Sequence, residues 1–226
     1  SDIASMGASP CYLLAAVGLD RSERLRPIMQ GVRDCCERFG AAIVGGDIDF
    51  HAELTIVTAG LGIVEPRHLV RRRGSRVGDL ICISGVPGRA EAALLGYTRH
   101  ERALFEPQPR VAEGRAIARA GATSMMDISD GLALSLYDLM EVNGCGYRID
   151  LERLPLPEGV PRDLATELAL YGGGDYHLLF TIPPERMPVA GIEQYCIGTV
   201  AAEPGVSAGG RTLEKRGYQH RWTDSA

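Results

Sequence analysis

Aspartates recur at four places in this 226-residue sequence, each at the end of an apolar run or just before a helical pattern, next to glycine or serine. The four segments are Ser1-Asp2, Gly45-Gly46-Asp47, Asp127-Ile128-Ser129-Asp130-Gly131 and Gly172-Gly173-Gly174-Asp175. Mg²⁺ prefers oxygen ligands and often shares them with substrate phosphates. Neighbouring glycines let backbone N–H groups approach phosphate oxygens, and helix N-termini also favour anions. The pattern therefore predicts a Mg²⁺ site that handles a phosphorylated ligand.

Each of these segments also has a structural alternative. An Asp beside Gly commonly caps a helix or closes an Asx turn, and one such segment alone favours that role. Four of them in one small chain favour the metal site. The basic run Arg71–Arg73 with Arg76 is compatible with nucleotide phosphate contacts, but for at least two of these arginines a solvated linker is the better interpretation. His177 stands within an apolar strand pattern, where a structural role is more common than a catalytic one.

Several other kinds of chemistry are excluded. The sequence has no G-x-x-x-x-G-K-[ST], no G-x-G-x-x-G after a strand and no G-x-S-x-G elbow. Its six cysteines form no C-x-x-C pair and its five histidines no H-E-x-x-H, which argues against zinc and disulfides and predicts reduced thiols in the cytoplasm. A formal charge of −5 argues against a nucleic-acid partner. No apolar run approaches the roughly 20 residues of a membrane span.

Alternating helical and strand-like patterns must position the aspartates, so the predicted class is α/β or α+β. Helices are predicted over 21–39, 89–95, 110–120, 132–142 and 164–171. Strands are predicted over 41–44, 54–64, 80–84, 125–128, 146–151, 176–182 and 194–200, with strands and turns over 211–222. The stretch 6–19 fits either type. A change of composition after Pro66 predicts two domains, 1–66 and 67–226.

Further motifs, in this order, carry a resemblance. The matching segments are Ser1-Asp2-Ile3-Ala4-Ser5-Met6-Gly7-Ala8, Val44-Gly45-Gly46-Asp47, Pro107-Gln108-Pro109-Arg110, Met126-Asp127-Ile128-Ser129-Asp130-Gly131-Leu132, Gly172-Gly173-Gly174-Asp175-Tyr176, Cys196-Ile197-Gly198 and Gly217-Tyr218-Gln219-His220. Together they resemble the thiamine-monophosphate kinases. That family lies within an ATP-binding superfamily with aminoimidazole ribonucleotide synthetase, selenophosphate synthetase and a hydrogenase maturation factor.

The resemblance implies Mg²⁺-dependent phosphorylation of thiamine monophosphate by ATP, through direct in-line transfer. It matches Asp2, Asp47, Asp127 and Asp130 to Mg²⁺ ligands. It matches Gly46, Asp47, Arg72 and Ser129 to nucleotide contacts, and Gly174, Asp175 and Trp222 to the substrate side. It also implies a two-domain, aminoimidazole ribonucleotide synthetase-like fold. In that fold an N-terminal sheet pairs across a homodimer and a larger α/β domain follows.

The chain departs from the family pattern at several points. It begins without Met and without some fifty residues that hold a Gly-Asp-Asp stretch, so an N-terminally incomplete chain is expected. The pattern G-G-E-D-Y-E becomes Gly172-Gly173-Gly174-Asp175-Tyr176-His177, which loses a glutamate at Gly174. The pattern G-G-D-T becomes Gly45-Gly46-Asp47-Ile48, and the aromatic residue expected at Arg221 follows one place later. Two alternatives therefore stay open: an ATP-dependent enzyme of the superfamily with another acceptor, and a non-catalytic nucleotide-binding dimer module.

Overall fold

A computed structural model describes residues 1–219 of the chain, so Trp222 lies outside the described residues. These described residues form two β-sheets. A three-stranded sheet uses residues between 9 and 63, and a seven-stranded sheet uses residues between 80 and 212. The mixed α/β class is confirmed, while the domain boundary at Pro66 stays a prediction. None of the helices in residues 1–219 is both long and apolar enough to cross a bilayer.

The three-stranded sheet follows from the first half of the sequence pattern. The ambiguous stretch is a strand, β1 (Ser9–Leu19), and it lies between β2 (Ala42–Phe50) and β3 (Thr55–Ile63). β1 runs parallel to β2 and antiparallel to β3. The crossover from β1 to β2 is helix α2 (Leu25–Phe39), which ends at Gly40 in the left-handed region, as a C-terminal glycine should.

The seven-stranded sheet has the order β10-β9-β6-β8-β4-β7-β5. Its strands are β4 (Leu80–Ile83), β5 (Ser124–Ile128), β6 (Gly146–Ile149), β7 (His177–Ile182), β8 (Tyr195–Ala201), β9 (Gly205–Ala208) and β10 (Arg211–Thr212). The accompanying helices are α3 (Arg89–Leu94), α4 (Glu101–Phe105), α5 (Val111–Ala120), α6 (Leu132–Asn143) and α7 (Arg162–Tyr171).

Helices cover both faces of this larger sheet. Successive strand residues point to opposite faces, so Ile81 and Ile83 join one apolar cluster while Cys82 joins another. The first cluster includes α6 residues such as Leu136, and the second includes Ile117 of α5. Burial on both faces explains why these strands are continuous apolar runs instead of alternating ones.

The structure corrects three details of the sequence prediction. The strand expected to stop at 44 continues to Phe50, so Asp47 lies inside β2 and not at its end. A bulge in the β1 pairing carries the strand through the glycines, and a Cβ on Gly46 would lie 1.8 Å from the Ala15 carbonyl oxygen. Glycine here therefore permits close approach of two strands. In addition, β9 and α4 were not predicted, and helix α2 begins at Leu25 after a 3₁₀ turn.

A short N-terminal helix joins the two sheets. Helix α1 (Asp2–Ser5) packs on α5 and on β5 of the larger sheet, although it precedes β1 in sequence. The contact is close because Gly114 of α5 faces the Ala4 backbone, where a Cβ on Gly114 would lie 2.1 Å from the Ala4 carbonyl oxygen. This packing fixes where Ser1 and Asp2 stand relative to the carboxyl end of β5.

Candidate active site

Asp127 is the centre of the candidate site. It lies near the carboxyl end of β5 and is only 5% exposed. The Ser1 hydroxyl donates a 2.8 Å hydrogen bond to Asp127 Oδ2, across 126 residues of sequence. Asp2 follows Ser1 directly and is exposed. The structure therefore brings the first and third aspartate segments together through the Ser1–Asp127 contact.

The loop after β5 is held against the glycine loop that precedes β7. The Gly174 N–H donates to the Ser129 carbonyl at 2.8 Å, and the Tyr176 N–H donates to the Ile128 carbonyl at 3.1 Å. Tyr176 has φ of +54°, which is uncommon for a residue other than glycine. Such backbone strain is often found at functional sites, where the surrounding structure maintains it. Asp130 and Ser129 thus stand on a fixed loop at the edge of a cavity.

That cavity has a volume of about 490 Å³, which is within the usual range for small-molecule sites. Its charged and aromatic lining comprises Glu91, Asp130, Glu167, Tyr171, Tyr176, Arg216 and Tyr218. The Arg216 guanidinium lies 3.9 Å from the centre of the Tyr171 ring and pairs with Glu167. Sequence reasoning missed Glu91, Glu167 and Arg216. The Gly-Tyr segment at 217–218 was a signal that this part of the chain reaches the site.

Asp175, predicted on the substrate side, has a structural role in this geometry. Its carboxylate is buried and accepts hydrogen bonds from the Gly88 N–H at 2.6 Å and the Ala90 N–H at 3.0 Å. These donors belong to the first turn of α3, so Asp175 satisfies backbone groups that have no partner within the helix. Gly174, at φ of +86°, has only its backbone to offer a ligand. The substrate roles of both residues stay predictions.

Burial raises the pKa of the Asp175 carboxyl to about 6, although the backbone donors oppose the shift. Because the folded-state pKa lies above the ordinary value of 3.8, the folded protein favours the protonated form. This contribution to stability is present below about pH 4 and is lost as pH rises through 6. In urea unfolding, we expect the free energy of unfolding of wild type to fall by about 3 kcal/mol more than that of Asp175→Asn between pH 4 and pH 7. If the free energies of unfolding of the two proteins depended on pH in the same way, the raised pKa of Asp175 would be contradicted.

The remaining predicted residues lie on other segments of the chain. Asp47 and Gly46 are in the exposed strand β2, where Asp47 Oδ1 accepts only a local hydrogen bond from the Ile48 N–H. Arg72 is exposed, and its Nη1 lies 3.8 Å from Asp138 Oδ2 on α6. Within residues 1–219, no three Asp, Glu, His or Cys side chains are grouped closely enough to hold one metal ion. The four aspartates therefore do not form a single cluster in one chain.

Comparisons with known proteins agree with this geometry. Residues 1–64 match the family described as "AIR synthase related protein, N-terminal domain". A thiamine-monophosphate kinase of Methanospirillum hungatei is 48% identical over 98% of this chain and 78% of its own length. One of Halobacterium salinarum is 39% identical over 97% of this chain and 80% of its own length.

Solved structures give the same relationship. The structure described as "AaThiL complexed with AMPPCP and TMP" superimposes with a TM-score of 0.88 and 29% identity, over 97% of this chain and 76% of that one. The predicted aminoimidazole ribonucleotide synthetase-like fold is thereby confirmed. Near-complete coverage at up to 48% identity, together with the arrangement of Asp127, Ser1-Asp2 and the two loops, leads to one conclusion: the chain belongs to the thiamine-monophosphate kinase family.

Proposed function

We propose that this chain transfers the γ-phosphate of ATP to thiamine monophosphate and so forms thiamine diphosphate. The observation that carries the proposal is the 48% identity to a thiamine-monophosphate kinase over 98% of the chain. It is supported by the Ser1–Asp127 hydrogen bond and by a cavity of suitable size that Ser129 and Asp130 line. Phosphoryl transfer needs positioning and charge stabilisation more than covalent help, and such a site supplies both.

Mg²⁺ fits the donor set of this site. Asp2, Asp127 and Asp130 offer only oxygen ligands, and Mg²⁺ in kinases is usually held by one or two carboxylates plus substrate phosphates. A site without three grouped carboxylates in one chain is therefore compatible with the ion. We propose that each Mg²⁺ ion is held by one or two carboxylates from the set Asp2, Asp127, Asp130 and Asp47, together with substrate phosphates. When bound, Mg²⁺ neutralises the charge on the phosphates during transfer.

The cavity beside Asp130 suits the ring end of thiamine monophosphate. Thiamine carries a cationic thiazolium ring, and cations bind well to carboxylates and to the faces of tyrosine rings. Tyr176 and Tyr218 supply such rings and Glu91 supplies negative charge, whereas Tyr171 and Glu167 already contact Arg216. The loop of Ser129 and Asp130 forms part of the wall, so an acceptor bound there lies beside the Asp130 carboxylate.

The test of this function is direct. The chain is incubated with ATP, Mg²⁺ and thiamine monophosphate, and thiamine diphosphate is measured by chromatography. We expect product that depends on all three components. Absence of product, with the folded protein stabilised in thermal melts by some other phosphorylated metabolite and not by thiamine phosphates, would favour a superfamily enzyme with another acceptor.

We also propose that the chain forms a homodimer through its small sheet. Strands β2 and β3 are exposed along nearly their whole length, yet they carry large apolar side chains. These are Val44, Ile48, Phe50, Ile56, Val57, Leu61 and Ile63. Contiguous apolar surface of this kind marks an interaction site, and both strands are edges with unpaired backbone groups. A second copy brings a matching apolar sheet, so a two-fold pairing buries both at once.

Replacing Leu61 by arginine is expected to separate the dimer. Leu61 is 54% exposed on β3, so the change should leave the monomer folded while placing a charge in the interface. We expect light scattering after gel filtration to give the dimer mass for wild type and the monomer mass for Leu61→Arg. Val77→Arg is the matched control, since Val77 is similarly exposed at 62% but lies outside this sheet. A wild-type monomer at all concentrations would contradict the proposal.

A further inference from the structure

A second cavity, of about 530 Å³, is lined by an unusual number of arginines. We call it the arginine cleft and define it by Arg38, Arg89, Arg99, Arg102, Arg110 and the buried His177. It lies between α2, the α3–α4 region and the segment that leads into α5. The planar guanidinium group of arginine matches the oxygens of phosphate with two parallel hydrogen bonds. The phosphoryl-transfer mechanism proposed above uses none of these side chains.

The arginines outnumber the carboxylates near them. Three are paired: Arg99 with Glu158 at 2.7 Å, Arg102 with Glu106 at 3.1 Å, and Arg110 with Glu113 at 3.2 Å. Arg38 and Arg89 form no ion pair with any residue between 1 and 219. The other carboxylate lining the cleft, Asp175, already accepts backbone hydrogen bonds through both oxygens. The cleft therefore keeps surplus positive charge.

Two of its hydrogen-bond donors are left over. The Nε atoms of Arg89 and Arg110 are buried and have no hydrogen-bond partner among the described residues. Buried donors without an acceptor are costly and uncommon in native proteins, and a bound ligand can supply the acceptor that the protein itself does not. Both donors belong to arginines of the same cleft, so one anion with several oxygens can satisfy them together.

The residue at 177 adds no negative charge to the cleft. His177 is 3% exposed, and its Nε2 lies 3.0 Å from the Val86 carbonyl oxygen. Burial lowers its pKa to about 4, with the nearby Arg110 and Arg89 acting in the same direction, so the ring is neutral at pH 7. A carboxylate there would neutralise the two arginines from within, whereas the imidazole leaves them available.

We propose that the arginine cleft binds a phosphate group, held by the guanidinium groups of Arg89 and Arg110. The phosphate is either the free ion or the phosphate end of thiamine monophosphate. Pro109 and Val111, on either side of Arg110, line a third cavity together with Ser1 and Asp2. The cleft therefore lies beside the cavity that Ser1 and Asp2 line.

Calorimetric titration of the chain with inorganic phosphate, at constant ionic strength and without ATP, tests the proposal. We expect saturable binding that Arg89→Gln and Arg110→Gln each weaken about tenfold, because each removes a charge-assisted hydrogen bond. His177→Glu should abolish it by supplying an internal anion. Arg153→Gln is the matched control: Arg153 is exposed, pairs with Asp150 and lies outside the cleft, so binding should not change. Thermal melts of each variant serve as the control that it is folded.

The same titrations with thiamine monophosphate and with thiamine separate the two sources. A parallel loss of thiamine monophosphate binding in the Arg89 and Arg110 variants places the acceptor phosphate in the cleft. If the Arg89 and Arg110 variants lose inorganic phosphate binding but keep thiamine monophosphate binding, the cleft is a separate ion site. The proposal is overturned if wild type does not bind phosphate, or if the three cleft variants bind it as tightly as Arg153→Gln. Because the readout is binding and not turnover, failure of the kinase function leaves this result interpretable.

Discussion

Replacing Asp127 by asparagine should lower kcat/KM for thiamine diphosphate formation about a thousandfold, equivalent to roughly 4 kcal/mol of transition-state stabilisation. Asparagine has almost the same shape, and its amide oxygen can still accept the hydrogen bond from Ser1 that Asp127 Oδ2 accepts. The substitution therefore removes one negative charge and little else. If Asp127 holds Mg²⁺, that charge is what the ion requires.

The measurement combines turnover with the concentration of Mg²⁺ that gives half-maximal rate. If Asp127 is a metal ligand, the Asp127→Asn variant needs a far higher Mg²⁺ concentration for half-maximal rate, while its thermal melting temperature stays near that of wild type. If Asp127 has only a structural role, the Asp127→Asn variant should have nearly normal activity, since the hydrogen bond from Ser1 is kept. Asp163→Asn is the matched control, because Asp163 is an exposed aspartate in the first turn of α7. Activity of Asp127→Asn within threefold of this control would rule out the metal role.

Sequence patterns predicted the elements that position Asp127 well. Strand β5 is a short apolar run that ends in the Asp-x-Ser-Asp-Gly segment, and helix α6 follows with apolar residues at helical spacing. Local propensity and periodicity determine such elements. The meeting of Ser1 with Asp127 is a contact over 126 residues, and the order of the motifs indicated it only through the family resemblance.

The sequence predicted less accurately those features that depend on contacts between backbone segments far apart in the chain. The glycines at 45 and 46 resemble a strand end, but they are the positions at which β2 can approach β1, so the strand continues to Phe50. Asp175 stands next to three glycines like the other candidate aspartates, yet it binds the start of α3, more than eighty residues away. Neither partner is visible in the local pattern. The same limitation hid the arginine cleft, whose arginines come from α2, α3, the α4 region and the start of α5.

Replacing Gly114 by alanine is expected to destabilise the folded protein. Two effects of opposite sign compete. Alanine favours a helix interior over glycine by about 1 kcal/mol, which would stabilise α5. However, the new Cβ would lie 2.1 Å from the Ala4 carbonyl oxygen. That oxygen belongs to the backbone and cannot rotate away, so α1 must move away from α5. Overpacking of this kind costs about 1–3 kcal/mol or more, and it is expected to exceed the helix gain.

The matched control is Gly31→Ala in helix α2, where a Cβ has no atom within 4 Å. There the helix effect acts alone, so we expect a gain of about 0.5–1 kcal/mol. For Gly114→Ala we expect a net loss of about 2 kcal/mol in urea unfolding and a melting temperature lower by about 4–8 °C. Because displaced α1 carries Ser1 away from Asp127, kcat should fall as well. Equal stabilisation by both substitutions would show that α1 is not fixed by this contact, and that Ser1 and Asp2 are free to leave the site.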